Sequence, residues 1–144
     1  MRCMPGADWM WPRTNRNGVI EVKFKADSGI VDQGGGLIWR ALDNDNYYIA
    51  RYNPLEQNFR IYHVKDGLRT KIADTWIQLP AGVWHKLKIT HFDNKIEGYL
   101  NDRKLLEVTD KTFVGSGGIG LWTKADAVTV YDDLVINSGP KVDG

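Results

Sequence analysis

Hydrophobic and polar residues alternate along most of this chain, with the period of two that is typical of strands buried on one face. In the segment Val19–Ala26, Ile20, Val22 and Phe24 share one face, and charged residues occupy the positions between them. No segment keeps the 3.6-residue period of an amphipathic helix. About ten short segments of this kind follow one another, separated by turn residues, and this spacing predicts an all-β sandwich or barrel.

The hairpin expected at residues 35–53 contains two arginines whose placement depends on the length of its turn. If Asp43–Asn46 is a four-residue loop, Arg40 and Arg51 emerge on the same face as Tyr47. A five-residue loop would instead separate the two arginines onto opposite faces. We favour the four-residue loop because it keeps both guanidinium groups out of the core, where an unpaired charge is costly. The aromatic residues left for the core are then Trp39, Tyr48 and Tyr52.

Composition, charge and hydrophobicity argue against several classes of partner. The chain has 144 residues, the size of one domain, and a formal net charge of +1 with its basic and acidic residues interspersed. We therefore expect no nucleic-acid partner. No apolar stretch approaches the roughly 20 residues that cross a bilayer, so no membrane partner is expected. No signal peptide is visible, which predicts a cytoplasmic protein, or an extracytoplasmic one if the sequence is part of a longer chain.

The sequence shows no sign of an active site. Its four glutamates have no second carboxylate two residues away, the spacing that would place an acid pair on one face of a strand. Its three histidines, His63, His85 and His91, lie on different segments or segment ends. Cys3 is the only cysteine, so neither an internal disulfide nor a thiolate metal cluster can form. These features favour a non-catalytic function.

Two groups of residues are candidates for binding. Arg40, Tyr47 and Arg51, with Trp122 and Lys124 as neighbours, offer rings that can stack on a sugar and polar groups that can bind its hydroxyls. In the alternative interpretation, the arginines only form ion pairs with nearby acids and the rings only pack.

The second group is Asp132 and Asp133, one of which would bind Ca²⁺ together with backbone carbonyl groups. The favoured alternative is that this carboxylate caps backbone N–H groups or pairs with a lysine.

Four stretches resemble domains of the concanavalin A-like lectin/glucanase superfamily, and they occur in the same order as in those domains. They are VDQGGGLIWRALDNDNYYIARYN, NFRIYHVKDGLRTKIA, AGVWHKLKI and GGIGLWTKADAVTVYDDLVI. The resemblance covers roughly Gly18 to Ile136 and is greatest to LamG-like and 3-keto-disaccharide hydrolase-like domains. It implies a concanavalin A-like jelly-roll sandwich of two antiparallel sheets, with a concave face that commonly receives carbohydrate. Some members of the superfamily also bind calcium.

The resemblance sets the domain boundaries and the leading hypothesis. We expect an irregular segment or short edge strand at 1–17, the jelly-roll domain at 18–137 and a flexible tail at 138–144. Because relatives usually have more strand before the first matched segment, either residues 1–17 form a shortened first strand or a sheet edge lies open. An open edge predicts a homodimer. The leading function is a non-catalytic module that binds an oligosaccharide on its concave face and requires no cofactor. The alternatives are a glycoside hydrolase of the keto-disaccharide type and a purely structural or protein-interaction domain.

Overall fold

The computed structural model describes residues 3–4, 17–26, 35–54, 56–80, 82–122 and 129–138. These residues form eleven strands and no helix. The strands are β1 (Cys3–Met4), β2 (Gly18–Ala26), β3 (Gly35–Asp43), β4 (Asn46–Asn53), β5 (Asn58–Lys65), β6 (Leu68–Trp76), β7 (His85–Phe92), β8 (Lys95–Leu100), β9 (Arg103–Thr109), β10 (Gly118–Trp122) and β11 (Thr129–Ser138). In the described part of the chain, no helix of the length and apolarity needed to span a membrane occurs.

The strands form two sheets. One has six strands in the order β1-β10-β3-β4-β5-β6, and the other has five in the order β11-β2-β7-β8-β9. All pairings of neighbouring strands are antiparallel except β1 with β10, which is parallel. The jelly-roll sandwich of antiparallel sheets predicted from the alternating pattern and the resemblance is confirmed.

The core lies between the two sheets and contains alternate residues of β2, β3, β4, β5, β7, β8 and β10. On β2, the three apolar residues named above are at most 1% exposed, and on β7 Leu87 and Ile89 are fully buried. The rings of Trp39 and Tyr48, a directly opposed pair on β3 and β4, stack with their centroids 5.5 Å apart. Burial of this apolar surface is the main driving force for the fold.

The β3–β4 hairpin departs from the predicted register. Its turn has two residues, Asn44 and Asp45, and Asp43 pairs with Asn46 at its base. Farther from the turn, Trp39 pairs with Tyr48, so the register shifts between Trp39 and Asp43. Three residues of β3, Arg40 to Leu42, therefore lie opposite one residue of β4, Tyr47. Such a bulge changes the face on which side chains emerge.

Arg40 lies in this bulge with a φ of 50°, and its side chain enters the sandwich interior. It is fully buried, with Nε donating to Nδ1 of His91 at 3.2 Å and Nη1 donating to the carbonyl oxygen of Phe113 at 2.8 Å. The prediction that Arg40 shares a surface with Arg51 and Tyr47 is therefore wrong. Acceptor groups inside the sandwich bind this guanidinium. The cost of burying an unpaired charge, which was our reason for favouring the four-residue loop, therefore does not apply.

A second set of polar groups lies next to Arg40. The hydroxyl of Tyr48 donates to Oδ1 of Asp110 at 2.6 Å and accepts from the backbone N–H of Phe113 at 3.2 Å. His63 Nδ1 lies 3.3 Å from Oδ2 of Asp110. Although burial by itself raises the pKa of Asp110, hydrogen bonds from Tyr48, Thr112 and His63 lower it below its usual value. We call Arg40, Tyr48, His63, His91 and Asp110 the interior polar cluster.

Candidate functional site

The outer face of the six-stranded sheet carries its own apolar cluster, separate from the core. Residues that alternate with core residues on β3, β4 and β5 form it, with Trp122 of β10 packed against it. They are Ile38, Ala41, Tyr47, Ile49, Tyr62 and Val64. All six are at most 9% exposed, so the centre of this face is closed.

Arg51 of β4 lies on this face between two aromatic rings. Its guanidinium carbon is 5.4 Å from the ring centroid of Tyr62 and 5.1 Å from that of Trp122. Both distances are within the range of cation–π attraction. The side chain is about nine-tenths buried, at 9% exposure, yet its Nε has no hydrogen-bond partner among the described residues. A buried donor left without a partner is uncommon in folded proteins.

Tyr62 is surrounded by positive charge. The guanidinium of Arg69 lies 4.7 Å from its ring centroid, and Nη1 of Arg60 donates to its hydroxyl at 3.4 Å. Burial acts to raise the pKa of Tyr62, but hydrogen bonds from Arg60 and Arg51 lower it overall. We call Arg51, Arg60, Tyr62, Arg69 and Trp122 the Arg51 cluster.

The exposed part of this cluster carries fixed polar groups. Arg60 Nε donates to Oδ1 of Asp74 at 3.0 Å, and Nη1 lies 3.5 Å from Oε2 of Glu56. The bonds to Tyr62 and Asp74 raise the pKa of Arg60 further. Side chains that hold one another in this way present donors and acceptors in defined directions.

The predicted binding residues are only partly brought together. Tyr47, Arg51 and Trp122 lie on one face, with Tyr47 in the apolar cluster, where burial raises its pKa. Arg40 lies on the opposite side of the same sheet, and Lys124 lies outside the described residues. Whether the three residues that share this face contact a ligand stays a prediction.

Sequence reasoning missed Arg60, Tyr62 and Arg69. The signal was available: in the segment NFRIYHV, Arg60, Tyr62 and Val64 alternate with the core residues Phe59 and Ile61. The pairing of β4 with β5 then places Arg60 directly opposite Arg51. Like charges opposite each other in a sheet are unfavourable unless aromatic rings or acids intervene. The pairing of Arg51 with Arg60 would therefore have identified the outer face of the six-stranded sheet as a candidate site.

Asp132 and Asp133 lie in β11, at a bulge between Asp132 and Val135, where Asp133 has a φ of 54°. Oδ1 of Asp132 accepts from the backbone N–H of Asp133 at 2.8 Å, and Oδ2 of Asp133 lies 3.1 Å from Nζ of Lys23. These are the two contacts offered as the alternative to calcium. Within the described ranges, no group of three His, Cys, Asp or Glu residues could hold a metal ion. Whether one of the two carboxylates binds Ca²⁺ together with backbone carbonyl groups stays a prediction.

Under the hydrolase hypothesis the acid pair would come from Asp43, Asp45 or Asp126, and the structure describes the first two. Oδ1 of Asp43 accepts from the backbone N–H of Asp45 at 2.8 Å and from Nδ2 of Asn46 at 2.9 Å. These bonds lower the pKa of the Asp43 carboxyl group, with the bond from Asn46 contributing most. Asp43 is thus engaged in closing the hairpin turn. Asp126 lies outside the described residues.

Comparison with known proteins supports the fold. No family model matches the chain, and no curated protein sequence matches it. Among solved structures, it is similar to the carbohydrate-binding module CBM66 from Bacillus subtilis, with a TM-score of 0.79, 22% identity and coverage of 88% of this chain and 78% of that one. It is also similar to a Bacillus subtilis protein of unknown function with a galectin-like fold, with a TM-score of 0.75, 12% identity and coverage of 90% and 76%.

A variant of human galectin-16 gives a TM-score of 0.68 at 14% identity, covering 96% of this chain and all of that one (100%). At these identities the similarity establishes the sandwich fold. It does not transfer a ligand or a site residue to this chain.

Proposed function

We propose that this protein is a non-catalytic carbohydrate-binding module that holds an oligosaccharide at the Arg51 cluster. The observation that carries the proposal is Arg51 itself. Its guanidinium lies between the rings of Tyr62 and Trp122, while its Nε has no hydrogen-bond partner among the residues that the structure describes. A sugar hydroxyl is a small neutral acceptor that would satisfy this donor without bringing a second charge into the face.

The surroundings of Arg51 support a sugar more than other neutral ligands. Trp122 is partly exposed and offers a ring on which the C–H face of a sugar can stack. Arg60 and Asp74, fixed on each other at 3.0 Å, place a donor group and an acceptor group nearby. The structurally similar proteins include a module described as carbohydrate-binding and several galectins.

Under this proposal the outer face of the six-stranded sheet is the concave ligand face expected from the resemblance to LamG-like domains. The centre of that face is closed by Ile38 and Ile49. We therefore place the ligand along the row in which Trp122 of β10, Arg51 of β4 and Arg60 of β5 follow one another across the sheet. Contacts confined to one row of residues are few, and binding in the millimolar to micromolar range is expected.

The test is a glycan array followed by calorimetric titration of any glycan retained. Arg51→Gln removes the charge and the stacked plane, and we expect it to weaken binding by about tenfold or more, the loss of roughly one good contact. Arg103→Gln, an exposed arginine on β9 of the other sheet, is the matched control and should bind like the wild type. Retention of no glycan class at millimolar concentration, or binding that survives Arg51→Gln, would contradict the proposal.

A second candidate function has an observation of its own. The apolar cluster of the outer face is buried, as expected if the face serves packing or protein contacts and not a ligand. A structural domain of this kind predicts that Arg51→Gln changes stability and no binding property. The titration above therefore separates the two functions.

A further inference from the structure

A cavity of about 380 Å³ lies at one end of the five-stranded sheet, away from the Arg51 cluster. Strands β2, β7 and β11 and the β8–β9 turn contribute to it. Its walls include Lys23, Trp84, Lys86, Asn101, Asp132 and Asp133. The volume is within the range of small-molecule sites and corresponds to about a dozen water molecules.

Trp84 gives this cavity an aromatic wall that the folded chain leaves in contact with solvent. The residue is 44% exposed although it immediately precedes a strand whose inward residues are buried. Lys25 Nζ lies 5.5 Å from the centroid of its ring, so the indole is held in place by a cation. A fixed, half-exposed indole is suited to stacking on the apolar face of a ligand.

Asn101 forms a polar wall whose orientation is set by its neighbours. Its Oδ1 accepts from the backbone N–H of Lys86 at 2.9 Å, and its Nδ2 lies 3.0 Å from Nδ1 of His85. His85 Nε2 lies 2.8 Å from the carbonyl oxygen of Pro80, which can only accept, so Nε2 carries the hydrogen. Nδ1 of His85 is then the acceptor for Asn101, and the amide has one consistent direction.

The charged groups of the cavity are balanced. Lys23 pairs with Asp133 at 3.1 Å, and Lys86 pairs with Asp102 of the adjoining turn at 2.6 Å. The bulge in β11 brings Asp132 and Asp133 to the same cavity, although adjacent residues of a regular strand point to opposite faces. Bulges often re-aim side chains in this way beside functional sites.

We propose that this cavity is a second ligand site and that it binds a neutral saccharide. Two lysines and two aspartates line it, so it does not favour a ligand of either charge. The same groups supply ammonium donors and carboxylate acceptors for hydroxyls, and Trp84 supplies the stacking surface. The inference rests on the cavity alone and holds whether or not the Arg51 cluster binds a ligand.

The test is an NMR titration of ¹⁵N-labelled protein with glucose, galactose, mannose, fructose, maltose, lactose and sucrose, each to millimolar concentrations. We expect at least one sugar to shift the Trp84 indole N–H and the Asn101 side-chain amide in a saturable way. Trp84→Ala should weaken that binding about tenfold or more, whereas Trp84→Phe, which keeps a ring, should weaken it less. Trp76→Ala is the matched control, because Trp76 is 68% exposed and does not line the cavity.

The two binding proposals fail in distinguishable ways. Loss of the Asn101 shift in Trp84→Ala but not in Arg51→Gln supports the cavity site. The cavity proposal is overturned if no sugar shifts either signal in the wild type. It is also overturned if the Asn101 shift persists undiminished in Trp84→Ala and in Trp84→Phe. Both outcomes hold whatever the array shows for Arg51. Glucuronic acid is the charged probe: if it binds more tightly than glucose, the ligand class proposed here is wrong.

Discussion

The interior polar cluster and the Arg51 cluster lie on opposite sides of the six-stranded sheet, and each contains one of the two arginines of the β3–β4 hairpin. Inside the sandwich, Arg40 donates to His91 and to the carbonyl group of Phe113. On the outer face, Arg51 is held by the rings of Tyr62 and Trp122, and its Nε has no partner in the described part of the chain. Arg40 and Arg51 are therefore close in the sequence but lie in different surroundings, the first among hydrogen-bond acceptors and the second between aromatic rings.

The difference shows how a sandwich separates stability from binding. A charge between two sheets is tolerated only where its donors are satisfied, so the surroundings of Arg40 are matched to it. The surroundings of Arg51 are less completely matched, because two rings hold its guanidinium while one buried donor has no partner among the described residues. We therefore expect changes in the interior cluster to act on stability, and changes in the Arg51 cluster to act mainly on binding.

The largest effect is expected from Arg40→Ala. The change leaves His91 Nδ1 and the carbonyl oxygen of Phe113 without this donor, and each unsatisfied buried group costs about 1–3 kcal/mol. We expect the free energy of unfolding to fall by about 3 kcal/mol or more, measured by urea denaturation. Arg51→Ala loses two cation–π contacts and should cost less, about 1–2 kcal/mol. Equal losses of stability in the two variants would contradict the view that the interior polar cluster acts mainly on stability and the Arg51 cluster mainly on binding.

A smaller effect is expected from Gly117→Ala, which tests the bulge that turns Arg40 inward. A methyl group at Gly117 would lie 2.5 Å from the carbonyl carbon of Arg40 and 2.7 Å from the backbone nitrogen of Ala41. Because both are backbone atoms, the bulge must move, and we expect a loss of about 1–3 kcal/mol by the same denaturation measurement.

Gly115→Ala is the control for this change, since a methyl group there meets no atom within 4 Å. It should alter stability by less than about 0.5 kcal/mol. If Gly117→Ala behaves like Gly115→Ala, the bulge is not the constrained element described above.

The smallest effect is expected in the pH dependence of the free energy of unfolding, to which Asp110 of the interior polar cluster contributes. The pKa of Asp110 is lowered in the folded protein, so its ionised form stabilises the fold above its unfolded pKa of about 3.9. That contribution is lost as the pH falls through the lower, folded pKa. In Asp110→Asn, the loss of stability between pH 5 and pH 2 should be smaller than in the wild type by about 1 kcal/mol.

Urea denaturation repeated across this pH range measures the difference. Asp66→Asn, at the exposed β5–β6 turn, is the matched control and should retain the acid-dependent loss of the wild type. Parallel profiles for Asp110→Asn and the wild type would show that the hydrogen bonds to Asp110 contribute no pH-dependent stability.

The alternation of residues by itself determined the class of this fold. In β2 and β7 the inward residues can be read directly, because a strand buried on one face must repeat every two residues. Asp66-Gly67 likewise marks its own turn, where both residues have positive φ. Strand alternation and this turn depend only on residues that are close in the chain, so the sequence is sufficient to predict them.

Only the tertiary structure decided where the two arginines face. Assigning residues to faces by alternation assumes an unbroken strand, and the bulge at Arg40 places this side chain on the face opposite to the one that alternation predicts. That bulge is stabilised by groups far away in the chain, namely His91 and Phe113, and by the close approach that Gly117 permits. The cavity beside Trp84 likewise depends on β11 meeting β2 and β7. A local pattern cannot specify the faces of residues whose conformations are set by partners from the opposite sheet.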